Sequence, residues 1–113
     1  MDDLVRRLSE GQHDIEIVLR AGRTADALKA CIDRRFVHVK FTGTRGGTEL
    51  GVPLDMDRCD VDAADWERGA GRVHLEGPLT LNFVKVRCLA DVDLASLAGN
   101  GCLAVVEDGG QTL

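Results

Sequence analysis

The sequence predicts a fold of the α+β class, in which a mainly antiparallel sheet carries helices packed on one face. Hydrophobic residues alternate with polar residues in several short segments, whereas one segment has the spacing of an amphipathic helix. The alternating segments are joined mostly by hairpin-like connections, which favours antiparallel pairing. No linker or repeat divides the 113 residues, so we expect a single domain over residues 1–113, with a loose tail from about residue 108.

The clearest β-hairpin lies between residues 35 and 54. Hydrophobic and polar residues alternate in segment 35–42 and again, with opposite parity, in segment 49–54. Folding the chain about the bond between Arg45 and Gly46 brings hydrophobic residues together on one face. The predicted pairs are Phe41 with Leu50, Val39 with Val52, and Val37 with Leu54. A shift of one residue would turn one set outward, so the pattern predicts a hairpin with one buried face.

Two helices and a strand are predicted before this hairpin. Residues 2–10 form the first helix, and residues 13–19 alternate as a strand does. Thr24 caps the second helix, which runs to about residue 34. Its hydrophobic stripe has the spacing of a helix laid on a sheet. The stripe consists of Ala27, Leu28, Cys31 and Ile32.

The second half of the chain contains the longest β-signal, over residues 72–91. Its hydrophobic parity changes at Phe83 and Val84, which we interpret as a β-bulge. The pair Gly77 and Pro78 leaves two alternatives open, a three-residue loop or one bent continuous strand. Shorter elements are also predicted. They are a helix over 62–67, a helical turn over 93–97 and a last strand over 102–107.

Composition argues against several classes of partner. The net charge is −5 and aromatic residues make up 4% of the chain, so neither electrostatics nor base stacking favours nucleic-acid binding. No segment reaches the roughly 20 hydrophobic residues of a membrane span, so we expect no membrane association. The first residues lack the hydrophobic stretch of a secretory signal, so we expect a cytoplasmic protein. Its four cysteines are then expected to be free thiols.

Three residues are candidates for ligand binding. Arg45 lies in a glycine-rich loop between two strands, where it can clamp an anion or simply occupy a hairpin tip. His38 and His74 lie on separate predicted strands, where polar sheet-face positions are the simpler interpretation. Together with the acidic segment 55–65, they could form the mouth of a pocket between sheet and helices.

The acidic segment does not match a calcium-binding loop, because Asp60 replaces the required glycine and Trp66 the required glutamate. Cys59 lies among these acids, which predicts a raised thiol pKa and low reactivity. The chain shows no recognisable catalytic, metal-binding or cofactor-binding motif. We therefore identify no catalytic residue, and we predict no metal and no cofactor.

These observations favour a non-catalytic binding domain that acts through a protein partner or through a second copy of itself. Residues 72–88 carry hydrophobic side chains on both parities, and helices of one chain can cover a single face. A homodimer with residues 79–88 at its interface would cover the other face. The alternative is a small enzyme or ligand-binding domain that uses the pocket described above and binds a small molecule.

Overall fold

The computed structural model of the protein describes residues 2–20 and 22–108. This part of the chain contains two α-helices and a seven-stranded antiparallel sheet, so strands dominate and the α+β prediction is confirmed only in part. The helices are α1, Asp3–Ser9, and α2, Ala25–Asp33. The strands are β1, His13–Ile17; β2, Phe36–Phe41; β3, Thr48–Pro53; β4, Ala64–Asp65; β5, Ala70–Leu81; β6, Val84–Asp93; and β7, Ala98–Asp108. The predicted tail beyond residue 108 lies outside the described residues.

The sheet order is β3-β2-β1-β7-β6-β5-β4, and every neighbouring pair is antiparallel. Strand β1 lies between β2 and β7, so the first and last strands pair in the middle of the sheet. One face of the sheet, which we call the inner face, carries most of the buried hydrophobic residues. Neither described helix combines the length and the hydrophobicity that crossing a bilayer would require.

Both predicted major helices are confirmed; Thr24 caps the second helix as predicted, whereas Asp2, predicted as a residue of the first helix, is its cap. The Val5 N–H donates to the Asp2 carboxylate at 3.1 Å, and the Ala27 N–H donates to the Thr24 hydroxyl at 3.1 Å. Each helix buries two hydrophobic side chains in the same cluster as the inner face of the sheet. These side chains are Val5 and Leu8 from α1 and Leu28 and Ile32 from α2.

The β2–β3 hairpin has the predicted buried face but a different register. Val39 pairs with Leu50 rather than with Val52, and Phe41 pairs with Thr48, so the predicted pairing was wrong by two residues. Side-chain direction repeats every two residues along a strand, so a shift of two leaves the same residues buried. The turn decides the register, since Gly46 and Gly47 both adopt positive φ and β3 starts directly after them.

The β5–β6 region corrects the interpretation of the parity change. Strand β5 runs without interruption through Gly77, which pairs with Cys88, so the three-residue loop is wrong. The chain is a continuous strand at this pair, as the other alternative required, but the strand ends at Leu81. The chain reverses instead at Asn82 and Phe83, which have φ of 49° and 68° and form a two-residue turn. A hairpin turn, not a bulge, therefore explains the change at Phe83 and Val84.

Because of the turn at Asn82 and Phe83, the segment has no second hydrophobic face of the kind that the sequence suggested. Leu79 pairs with Val86 and Leu81 with Val84, so the two parities become two strands facing the same way. Val84, Val86 and Cys88 are at most 2% exposed within their own chain. The hydrophobic residues expected at a dimer interface therefore lie mostly in the core.

The short elements differ from prediction at two points, the segment 62–67 and the start of the last strand. No helix forms over residues 62–67; Ala64 and Asp65 pair instead with β5 as strand β4, and a 3₁₀ turn forms earlier, at Met56–Arg58. Residues 93–97 form the expected turn, closed by a bond from the Leu97 N–H to the Asp93 carbonyl at 2.7 Å. The last strand begins at residue 98, earlier than predicted.

The sheet curls so that the end of β3 lies against β5. A Cβ atom at Gly77 would overlap the Pro53 carbonyl oxygen, so only glycine permits this approach. Directly afterwards, the Asp55 N–H donates to the Glu76 carbonyl at 2.9 Å. The chain is thereby led along the free edge of β5, where it helps to build the site described next.

Candidate functional site

A group of charged side chains lies on the outer face of β5 and β6, opposite the core. We call it the outer-face cluster, and its members are Asp55, His74, Glu76, Arg87 and Asp91. Alternation along β5 directs His74 and Glu76 outward because their neighbours Val73 and Leu75 point into the core.

Strand pairing brings His74 directly opposite Asp91. The backbone of His74 does not bond to β6 at this point, because its N–H and carbonyl pair with Asp60 at 2.8 and 2.9 Å. Opposed residues that do not exchange backbone hydrogen bonds lie closest in an antiparallel pair. The side chains of His74 and Asp91 consequently meet, with Nδ1 and Oδ1 2.8 Å apart.

Glu76 is the centre of the outer-face cluster. It is 8% exposed and is the only charged residue buried within the described ranges 2–20 and 22–108. Its Oε1 lies 3.2 Å from His74 Nε2, and its Oε2 accepts a hydrogen bond from Arg87 Nε at 2.9 Å. Arg87 also donates from Nη2 to the Asp55 carboxylate at 3.0 Å. Both oxygens of the buried carboxylate are therefore partnered, as stability requires.

The cluster shifts the pKa values of His74 and Glu76 in opposite directions. Partial burial lowers the pKa of His74, but hydrogen bonds to Asp91 and Glu76, together with their charges, outweigh burial and raise it above its ordinary value. Burial raises the pKa of Glu76, but hydrogen bonds from His74 and Arg87 outweigh that effect and lower it. The geometry thus favours a charged imidazolium beside a charged carboxylate.

The thiol of Cys59 has a structural role at the edge of β5. The Glu76 N–H donates to Cys59 Sγ at 3.4 Å, and the thiol lies 3.6 Å from the Glu76 carbonyl. The predicted direction of its pKa shift is confirmed, although burial is the main cause and the charges of Asp55 and Glu76 contribute less. A protonated thiol suits this position because it supplies a donor as well as an acceptor.

The candidate residues from the sequence do not form one site. His74 lies in the outer-face cluster, where Asp60 of the acidic segment bonds to its backbone and Asp55 bonds to Arg87. His38 instead packs edge-to-face on Phe36, with ring centroids 5.1 Å apart, and lines a separate cleft of about 230 Å³. Arg45 is exposed in the β2–β3 turn.

Sequence reasoning missed Glu76, Arg87 and Asp91. All three occupy outward positions that looked like ordinary solvent-facing residues, and only the strand register brings them together. Asn82 is the residue that could have indicated a hairpin turn at this point, because asparagine is common in two-residue hairpin turns with positive φ. A turn placed there sets His74 opposite Asp91.

A second surface lies at the end of the β5–β6 hairpin. We call it the tip surface, and it consists of Phe83 and a shallow groove of about 340 Å³. The groove is lined by Pro78, Leu79, Thr80, Lys85, Val86, Arg87 and Val106. Phe83 is 85% exposed and Val106 is 62% exposed, and both are large hydrophobic residues. Val106 lines the groove, and Phe83 lies in the turn that joins β5 to β6. Exposed hydrophobic patches are typical of interaction surfaces.

Comparison with known proteins adds no functional information. No protein-family model matches the chain, and no curated protein sequence is significantly similar to it. Within the part of the chain that the structure describes, His, Cys, Asp and Glu side chains form no group of three or more that could hold a metal ion.

The reactivity of the four cysteines tests whether Cys88 is buried in the core. All four are free, and burial raises the pKa of the Cys88 thiol to about 12. In freshly reduced protein near pH 8, we expect a thiol reagent to modify Cys88 only after denaturation, because thiolate is the reactive form. Denatured protein should show four thiols. Rapid modification of Cys88 in the native state would contradict the position assigned to β6.

Proposed function

We propose that the protein is a non-catalytic interaction domain of the cytoplasm that self-associates through the tip surface. Phe83 is the observation that carries this proposal. It adopts a φ of 68° and is 85% exposed. The left-handed region costs a residue with a side chain about 1–2 kcal/mol, and glycine is preferred at this turn position. The domain's own fold gains little burial from this phenylalanine, which supports a role in binding.

A second copy of the chain is the partner that this arrangement favours. An exposed aromatic side chain and a hydrophobic groove lie on the same hairpin, so a two-fold axis can place each Phe83 against the groove of the other copy. The proposed interface is narrower than the one expected from the sequence, because Val84 and Val86 already lie in the core.

The energetics favour a weak dimer. Burying one large hydrophobic side chain contributes about 1.5–3 kcal/mol. Phe83 and Val106 from both copies would then supply a gross gain of about 6–12 kcal/mol. Association costs about 4–15 kcal/mol, so the dimer should depend on protein concentration. The four free cysteines support the proposed location, since a reducing cytoplasm keeps thiols unpaired.

Replacing Phe83 by glycine tests the proposal through two separate measurements. By light scattering between about 10 µM and about 1 mM, the wild-type mass should rise from 12.2 kDa towards twice that value. The F83G variant should remain monomeric over the same range. Its melting temperature should be unchanged or higher, because glycine relieves the unfavourable φ of the turn.

Phe36 offers a matched control, because it is 41% exposed and does not line the groove. Phe36→Leu should leave dimerisation unchanged. A wild-type mass of 12.2 kDa at every concentration would refute self-association. Dimerisation that survives in F83G would refute the tip surface, and a strong loss of stability in F83G would show that Phe83 serves the fold.

Ligand binding is the second candidate function, and one observation favours it. A polar concavity of about 420 Å³ adjoins the outer-face cluster. It is lined by Asp60, Ala63, Arg72, Val73, His74 and Asp91. If the protein proves monomeric, this concavity becomes the preferred binding site. Screening small polar molecules by thermal shift tests it, because a ligand that binds only the folded state raises the melting temperature.

A further inference from the structure

We propose that His74 is a pH-dependent latch, which fastens residues 55–62 to the free edge of β5 when its imidazole is protonated and loosens them when the proton is lost. We call residues 55–62 the edge segment. The proposal does not rest on self-association, because the latch lies within one chain.

Several hydrogen bonds attach the edge segment to residues of the outer-face cluster. Asp60 exchanges two backbone hydrogen bonds with His74. Cys59 contacts the Glu76 backbone through its thiol, and the Asp55 N–H donates to the Glu76 carbonyl. The Asp55 carboxylate accepts from Arg87. A change in the position of His74 or Glu76 therefore acts directly on this segment.

The proposal rests on the number of protons that the His74 ring needs to satisfy its two neighbours. Both ring nitrogens lie within hydrogen-bond distance of carboxylate oxygens, at 2.8 Å from Asp91 and 3.2 Å from Glu76. Ionised carboxylates only accept hydrogen bonds, and a neutral imidazole has a single N–H. The observed arrangement is thus satisfied by the doubly protonated ring. Loss of a proton would set a nitrogen lone pair against a carboxylate oxygen.

The charged groups around His74 make the loss of its proton unfavourable for the folded structure. Asp91 faces the ring from β6, Glu76 from β5, and Asp60 of the edge segment and Arg72 of β5 line the concavity beside it. Arg87 and Asp55 lie on the far side of Glu76. Deprotonation removes one positive charge from a group with more carboxylates than cations. Glu76 is buried and cannot turn freely to water, so the strain falls on the ring and on the strand edge that pairs with Asp60.

The direction of the pH dependence follows from the hydrogen bonds. A histidine with a raised folded-state pKa stabilises the structure fully below its unfolded pKa, near the ordinary value of 6.5. That stabilisation disappears as the pH rises through the folded-state pKa. The latch is therefore closed in mildly acidic solution and open in alkaline solution.

Amide hydrogen exchange resolved by nuclear magnetic resonance tests the latch at the bonds concerned. The amides of His74 and Asp60 bond to each other's carbonyls, so they report on the edge segment directly. After correction for intrinsic exchange, their protection should fall about tenfold between about pH 5.5 and about pH 8.5. Amides in the β2–β3 pairing serve as the internal reference.

Two further measurements complete the test. The wild-type His74 ring should be protonated at both nitrogens near pH 5.5 and should titrate above 6.5. His74→Gln should show low protection at both pH values, whereas the control His38→Gln should keep the wild-type response. A titration midpoint below 6.5, equal protection at the two pH values, or a wild-type response in H74Q would each overturn the proposal.

Discussion

Replacing Arg87 by methionine is expected to lower the free energy of unfolding by about 3 kcal/mol. The guanidinium is the partner of Glu76 Oε2 at 2.9 Å and of Asp55 Oδ2 at 3.0 Å. Methionine keeps much of the aliphatic volume but leaves the Glu76 carboxylate, 8% exposed, with an unpartnered oxygen. Removing one partner of a buried ion pair is costly because the remaining charge stays desolvated.

Urea denaturation at neutral pH measures this loss, and Arg68→Met is the matched control. Arg68 also forms an ion pair with an aspartate, Asp65, but their side chains are 84% and 49% exposed. Exposed pairs of this kind contribute about 0–1 kcal/mol, so the control variant should remain close to wild type. Equal stabilities of the two variants would contradict the burial assigned to Glu76.

The loss of unfolding free energy in the Arg87→Met variant should also depend on pH. The pKa of Glu76 is lowered despite burial, so its stabilising contribution is present above the ordinary carboxyl value of 4.5. That contribution is lost as the pH falls through the folded-state pKa. The difference between wild type and variant should therefore be largest near neutral pH and smaller in acid.

Replacing Gly77 by alanine is expected to destabilise the fold by about 3 kcal/mol, at the upper end of the usual range for overpacking. The added Cβ would overlap the Pro53 carbonyl oxygen and would lie 3.0 Å from Val52 Cγ1. A backbone carbonyl cannot rotate away as a side chain can. The end of β3 must therefore separate from β5, which also disturbs the entry to the edge segment.

Gly43→Ala is the control for this prediction. A Cβ at Gly43 would meet no atom within 4 Å, so the change should alter stability by less than about 0.5 kcal/mol. Thermal and urea denaturation of the two variants give the comparison. If Gly77→Ala is as stable as the control, β3 does not lie against β5 as described.

Local patterns account for the elements that the sequence predicted well. Asp2 and Thr24 cap the two α-helices, and capping is a local contact between residues three positions apart. The buried face of the β2–β3 hairpin follows from alternation alone, whereas its register does not. Val39 can oppose Leu50 or Val52 with the same face buried, and the conformation of Gly46 and Gly47 selects the first.

The outer-face cluster could be predicted only in part, because it too depends on strand register. His74 and the acidic segment were visible as polar residues, but their partners Glu76, Arg87 and Asp91 depend on where the chain reverses. The parity change at Phe83 and Val84 marks that place, yet a bulge and a two-residue turn produce the same pattern in one dimension. A bulge would leave hydrophobic side chains on both faces of one strand, whereas the turn makes two strands whose hydrophobic side chains enter one core.

By itself, the amino-acid sequence determined the helix starts, the buried faces and the antiparallel character of this protein, because each depends on periodicity or on contacts between near neighbours. The tertiary structure decided the two registers, the approach of β3 to Gly77 and the burial of Glu76. Those features bring together residues far apart in the chain. Their energies depend on which atoms meet in space, and alternating hydrophobicity contains no such information.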